Sequence, residues 1–180
     1  MKDIKIHDKK FRLFISNEKI TDTIEKMADK MNRDLADKSP LFICILNGSF
    51  IFAAELFKKI SIMDSEISFI RLVSYDGDTT TGNVRQLIGL NENIEGRTVV
   101  VLEDIVDSGI TLDYICNMLK LMHPARLITA TLLLKPDALK LQLCPDYVGM
   151  KIPNDFIVGF GLDYNGFGRN LSDIYSIINE

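Results

Sequence analysis

Apolar positions along the chain repeat in two periods, and the switches between them mark out its elements. Ile20, Ile24, Met27, Met31 and Leu35 recur at helical spacing with Lys, Asp and Glu between them, and Ser16 or Asn17 stands where a cap is needed. This predicts an amphipathic first helix. Pro40 precedes LFICILNG, a short apolar run ending in Asn-Gly, and SFIFAAELFKKI resumes helical spacing, so strand, tight loop and helix follow in turn. Over residues 66 to 75, Ile67, Phe69, Arg71, Val73 and Tyr75 fall on one face and Ser68, Ile70, Leu72 and Ser74 on the other, predicting a strand buried on both sides. The polar DGDTTTGNV that follows has no apolar period and reads as an exposed, mobile loop. TVVVLEDIV is the next strand; Asp107, Ser108 and Gly109 break it before the helix ITLDYICNMLKLM. RLITATLLLK follows Pro124 as a further strand, and DALKLQL after Pro136 is a short helix or turn. Strands alternating with helices predict an α/β fold with a parallel sheet covered by helices.

Composition narrows the classes. The chain has 180 residues, 47% of them apolar and 26% charged, which suits one folded domain over residues 1–180 and argues against disorder. Lys and Arg number 21 against 25 Asp and Glu, a formal charge of −4, so no overall positive field gathers nucleic acid or anionic lipid. Cys44, Cys116 and Cys144 are far apart and form no C-x-x-C pair, which argues against disulfide and zinc frameworks. Charged and apolar residues alternate through MKDIKIHDKKFRLFIS, unlike a signal peptide or membrane span, so the expected location is the cytoplasm. His7 and His123 have no carboxylates or cysteines at ligand spacing.

Chemistry concentrates in VVVLEDIVDSGITL, residues 99–112, where an apolar strand carries Glu103 and Asp104 just before a hydroxyl-rich loop. Ligands of open parallel sheets bind beyond the carboxyl ends of strands, and a loop opening into a helix N-terminus offers N–H groups to a phosphate. Gly109 allows close backbone approach, and the Ser108 and Thr111 hydroxyls are donors. Taken alone, D-S-G reads as an ordinary turn with Asp107 capping a helix, and the acids as solvated at a sheet edge. The full conjunction is rarer, and it resembles the phosphoribosyl-diphosphate signature of the type I phosphoribosyltransferases. LNGSFIFAAEL, RLVSYDGDTTTG, LLLKPDAL and PNDFIVGFGLDYNGFGRNL occur in the order and spacing of the hypoxanthine-guanine members, covering about residues 41 to 171.

The resemblance implies a parallel-sheet core with a small hood formed by the N- and C-terminal segments. It also implies transfer of 5-phosphoribose from phosphoribosyl diphosphate to N9 of a 6-oxopurine, with Mg2+ present. Glu103 and Asp104 would accept from the ribose hydroxyls, and Asp107, Ser108, Gly109, Ile110 and Thr111 would grip the 5′-phosphate. Asp107 resembles the general base for the N7 proton. Lys135, which in isolation reads as a snorkelling surface lysine, resembles the donor to the 6-oxo group. Phe156, otherwise a core residue, would stack on the base, with the Ile157 backbone and Asp163 beside the purine edge. LNGS, residues 46–49, resembles the pyrophosphate loop, with Leu46, Asn47 and Gly48 on the diphosphate, and the family uses a non-proline cis peptide there; many relatives carry a basic residue in place of Asn47. Arg169 would hold the diphosphate, and Glu103, Asp104 and Asp163 would approach the metal, although Asp163 and Arg169 also read as a plain surface ion pair. Ser74 and Tyr75 would belong to a lid closing on the ligand, pivoting at Gly77 and Gly82. The expected partners are phosphoribosyl diphosphate, a 6-oxopurine and a second copy in a homodimer or homotetramer, with no nucleic acid or membrane.

Rival classes fit less well. An RNA-binding regulator on the same fold needs a basic face, whereas Lys and Arg here are scattered among acids except at residues 9–10 and 58–59. No G-x-G-x-x-G follows a predicted strand, and no Walker lysine supports an ATPase.

Overall fold

The protein is described by a computed structural model covering residues 3–74 and 84–178. In chain order its elements are β1 (Ile4–Ile6), β2 (Lys9–Ile15), α1 (Asn17–Asp34), β3 (Leu41–Leu46), α2 (Phe50–Phe57), β4 (Glu66–Ser74), β5 (Val84–Ile88), β6 (Thr98–Val106), α3 (Ile110–Lys120), β7 (Arg126–Leu134), β8 (Tyr147–Lys151), β9 (Ile157–Val158) and β10 (Ile174–Ile177). A six-stranded sheet has the order β5-β4-β3-β6-β7-β8. Its pairs from β4 to β8 are parallel, and β5 joins β4 antiparallel at the edge.

Helix α1 forms as its spacing predicts. The Ser16 Oγ accepts from the Lys19 N–H at 3.4 Å, and Ile20, Ile24, Met27, Met31 and Leu35 are all buried. With α2 they cover one sheet face through Phe42, Cys44, Val100 and Leu102; α3 covers the other through Leu41, Ile43, Val99 and Val101. Those near-continuous apolar strands are what a doubly covered parallel sheet requires.

Strand β4 departs from the expectation of burial on both sides. Ile70 is buried against the α3 face, but Phe69, opposite Cys44 in register, is 41% exposed. Helix α2 lies over β3 and β6; Ile67 of β4 still packs against that core, and Phe69 stays open to solvent. DALKLQL forms a short 3-10 turn at Pro136–Ala138.

A second, antiparallel sheet in the order β1-β2-β10-β9 draws on both ends of the chain. Tyr175 and Ser176 of β10 pair with Val158 and Ile157, while Ile174 and Ile177 lie opposite Ile15 and Phe11 of β2. Asp173 fastens this hood to α1, its Oδ1 accepting from the Asn17 N–H at 2.7 Å. Among the described residues no helix is long and apolar enough to cross a membrane.

Because Ile24 is fully buried between α1 and the sheet, Ile24→Ala should lower unfolding free energy by about 2–5 kcal/mol. Urea denaturation followed by circular dichroism measures this.

Candidate active site

The carboxyl ends of β3, β6 and β7 meet at a cleft of about 360 Å³. Leu46 ends β3, the Leu46–Asn47 peptide is cis, and Gly48 comes next. A Cβ on Gly48 would lie 1.8 Å from the Asp104 Oδ2, so only glycine lets this loop rest against β6.

Asp104 is buried, and its Oδ1 accepts from the Ile105 N–H at 2.8 Å. Glu103 has a buried Oε2 with no hydrogen-bond partner. Burial, and then the charge of Asp104, holds the Glu103 carboxyl well above the ordinary glutamate range. Burial raises Asp104 too, opposed by the Ile105 N–H and the positive charge of Arg169.

Past β6 the chain turns through Asp107, Ser108 and Gly109 (φ 82°) into α3. The Ser108 Oγ accepts from the Ile110 N–H at 3.4 Å, and Gly109, not Asp107, occupies the cap position. Ser108, Gly109 and Thr111 line a smaller cavity of about 80 Å³ beside the main cleft. The Ile110 residue is 53% exposed and lines neither. Asp107 instead receives the Lys135 Nζ at 2.7 Å. Lys135 is no snorkelling surface residue: it is only 6% exposed, and its backbone N–H donates to the Val106 carbonyl at 2.9 Å.

The hood supplies the opposite wall. Phe156 is 44% exposed, with Tyr164 edge-on at 5.8 Å and Phe11 at 6.4 Å. Ile157 is buried in β9, and the Phe156 carbonyl accepts from the Ile177 N–H at 2.9 Å. Arg169 contacts the Asp163 Oδ1 at 2.6 Å through Nη2 and donates to the Gly161 carbonyl at 2.7 Å through Nη1. The other Asp163 oxygen accepts from the Gly166 N–H at 2.7 Å. The expected ion pair therefore exists, and it is half-buried within the cleft.

The structure thus brings Leu46, Asn47, Gly48, Glu103, Asp104, Asp107, Thr111, Lys135, Phe156, Ile157, Asp163 and Arg169 to one cleft. Ser74 is the last residue of β4; Tyr75 and the rest of the expected lid lie outside the described residues. Sequence reasoning missed Gly161, with φ 98° and a Cβ position 2.1 Å from the Gly48 carbonyl oxygen. It seats the hood directly on the loop 46–48. The run GFGLDYNGFG signals a glycine-dependent turn without saying which glycine makes that contact.

Four carboxylates and two cations line the cleft, an excess of negative charge that a polyphosphate tolerates only with a cation. Among the described residues no three His, Cys, Asp or Glu side chains are grouped to hold a metal. The orphaned Glu103 oxygen and the hard carboxylate donors fit magnesium, which keeps water and substrate oxygens in its shell.

A parallel sheet beneath a hood built from both chain ends, with its cleft at the strand ends, is the architecture of a type I phosphoribosyltransferase. Residues 15–165 match the family model described as phosphoribosyl transferase domain. A hypoxanthine-guanine phosphoribosyltransferase of Streptococcus thermophilus is 40% identical over 171 residues, 94% of this chain and 91% of the relative. The crystal structure of a hypoxanthine-guanine phosphoribosyltransferase from Bacillus anthracis, with HEPES in its active site, superposes with a TM-score of 0.87 at 39% identity, covering 93% of this chain and 98% of that one. A Trypanosoma cruzi hypoxanthine phosphoribosyltransferase in complex with its product IMP gives 0.86 at 32% identity, covering 97% of each chain. The chain belongs to the hypoxanthine-guanine phosphoribosyltransferases.

The raised Glu103 carboxyl has a consequence for stability. Its folded value lies above the ordinary 4.5, so the folded protein keeps a proton that the unfolded chain loses. Its contribution is complete below that value and lost as pH rises through the folded one. Glu103→Gln should therefore stabilise the protein at neutral pH by about 1 kcal/mol, roughly 2–4 °C in Tm, and not below pH ~4. Thermal melts of both proteins across this pH range test it; an equal difference at every pH contradicts the burial account.

Proposed function

We propose that this cleft carries purine salvage as follows. The chain transfers 5-phosphoribose from phosphoribosyl diphosphate to N9 of hypoxanthine or guanine, giving IMP or GMP and pyrophosphate. The observation that carries the reading is the Lys135–Asp107 pair, a donor and an acceptor 2.7 Å apart on the cleft wall. A 6-oxopurine protonated at N7 presents the complementary pair on neighbouring atoms, the O6 acceptor and the N7–H donor. On base binding, Lys135 turns from Asp107 to O6, and the freed carboxylate accepts the N7 proton as N9 bonds to the sugar. Adenine sets an amino donor against the lysine, leaving both without partners.

The exposed Phe156 ring stacks on the base, its angle set by Tyr164 at its edge. Glu103 and Asp104 accept from the ribose hydroxyls, and the negative charge that the pair carries on Asp104 favours the oxocarbenium-like centre. Residues 107–111 bind the 5′-phosphate, Ile110 through its backbone alone. The loop 46–48 and Arg169 face the diphosphate. Glu103, Asp104 and Asp163 would hold magnesium directly or through water, and the ion would neutralise leaving-group charge. The product held by the Trypanosoma cruzi relative supports this reading. The exposed Phe50 on α2 and Phe69 on β4 support a homodimer or homotetramer, and the free thiols suit the cytoplasm.

A turnover assay with phosphoribosyl diphosphate, magnesium and hypoxanthine, guanine, xanthine or adenine should yield IMP and GMP; no nucleotide from any base overturns the reading. Asp107→Asn should cut kcat about a hundredfold or more while keeping the fold. Lys135→Ala should lower kcat/KM for hypoxanthine roughly ten- to a hundredfold and leave adenine no better used. Steady-state kinetics with each base checks both, and unchanged hypoxanthine kinetics removes Lys135 from base recognition.

A further inference from the structure

Asn47 provides no positive charge, so the proposed diphosphate grip depends on how well the backbone of the loop is aimed before the anion arrives. The last residue of that loop is Ser49, which is fully buried. It occupies the cap position of α2, where a serine ordinarily accepts from the first helical N–H groups, yet its side chain makes no such bond. The hydroxyl instead turns back and donates to the Ile45 carbonyl, joining the two sides of the loop.

A hydroxyl has one proton. With that proton on Ile45, the 3.1 Å contact with the Cys44 Sγ is one in which the thiol donates to Ser49. Burial pushes the Cys44 thiol up to about 11, so it stays protonated and able to do so. From the front, Gly48 is pressed against Asp104 and its carbonyl against Gly161. The loop is thus fixed on both sides, and the rear contact is a single side-chain hydrogen bond.

We infer that Ser49 is a positioning residue for diphosphate binding: its hydroxyl, diverted from capping α2, clamps the Ile45 carbonyl and holds loop 46–48 in its anion-binding shape. This rests on the reading of the cleft given above, and it separates diphosphate affinity from nucleotide affinity. Ser49→Ala should raise the Kd for inorganic pyrophosphate with magnesium roughly five- to tenfold by calorimetry, with the Kd for IMP unchanged. Cys44→Ala removes the thiol and leaves the Ser49–Ile45 bond, so it should lower Tm without weakening pyrophosphate. Equal weakening of both ligands in Ser49→Ala, or unaltered pyrophosphate affinity, overturns the positioning role; a wild type that binds neither ligand overturns the underlying reading of the cleft instead. Should Ser49→Ala not fold, Ser49→Cys decides: a weaker donor in the same place should raise the pyrophosphate Kd and leave the IMP Kd unchanged, and unaltered pyrophosphate affinity refutes the clamp.

Discussion

Two neighbouring carboxyl groups at one strand end, Glu103 half-buried and Asp104 buried, are the constraint to which the rest of the structure answers. Burial and the charge of Asp104 hold the Glu103 carboxyl in its neutral form, while burial raises Asp104 against the Ile105 N–H and a hydrogen bond from Glu103, which favour its ionised form. A side chain at residue 48 would run into the Asp104 carboxylate, so Gly48 is what lets the loop 46–48 lie against β6. That loop in turn fixes the hood, because Gly161 sits against the Gly48 carbonyl. Arg169, donating to the Gly161 carbonyl, brings its charge close enough to favour ionised Asp104.

The parallel sheet makes this stacking available. Strands β3 and β6 are hydrogen-bonded neighbours running the same way, so their carboxyl ends, and the loops beyond them, arrive at one place. β7 lies beside β6 in the same sense and delivers Lys135 to Asp107. Antiparallel neighbours would send alternate loops to opposite ends and scatter the charges over 20 Å or so. The hood is antiparallel because it has another task, joining two distant stretches of chain into a wall opposite the strand ends.

Features of short sequence range were legible. α1, α2, α3 and the β6 turn each have their periodicity and punctuation within a dozen or so residues, and the acid pair with its D-S-G loop lies within a single run. β9 has two residues, and its partner β10 contributes little pattern of its own, so neither has a period to read. Their existence depends on pairing across the chain. Lys135 shows the same limit: nothing in LLLKPDAL distinguishes a buried lysine from a snorkelling one, and its burial depends on Asp107 accepting it. Gly161 was missed because a contact between two backbones leaves no trace in side-chain pattern. The exposed Phe69 corrects a periodic inference that assumed a helix over every strand.

The hood also sets an order on biosynthesis. Translation makes β3, the acid pair and the turn at residues 107–109 while the wall opposite them is still to come. β9 has no strand to lie against until β10 emerges, and β10 finds its other neighbour in β2, translated long before. A polypeptide cut before Ile174 therefore keeps the carboxylate pair and the Asp107–Lys135 pair but has an unsupported wall opposite them. The wall opposite the strand ends is held in place only once β10 has been made.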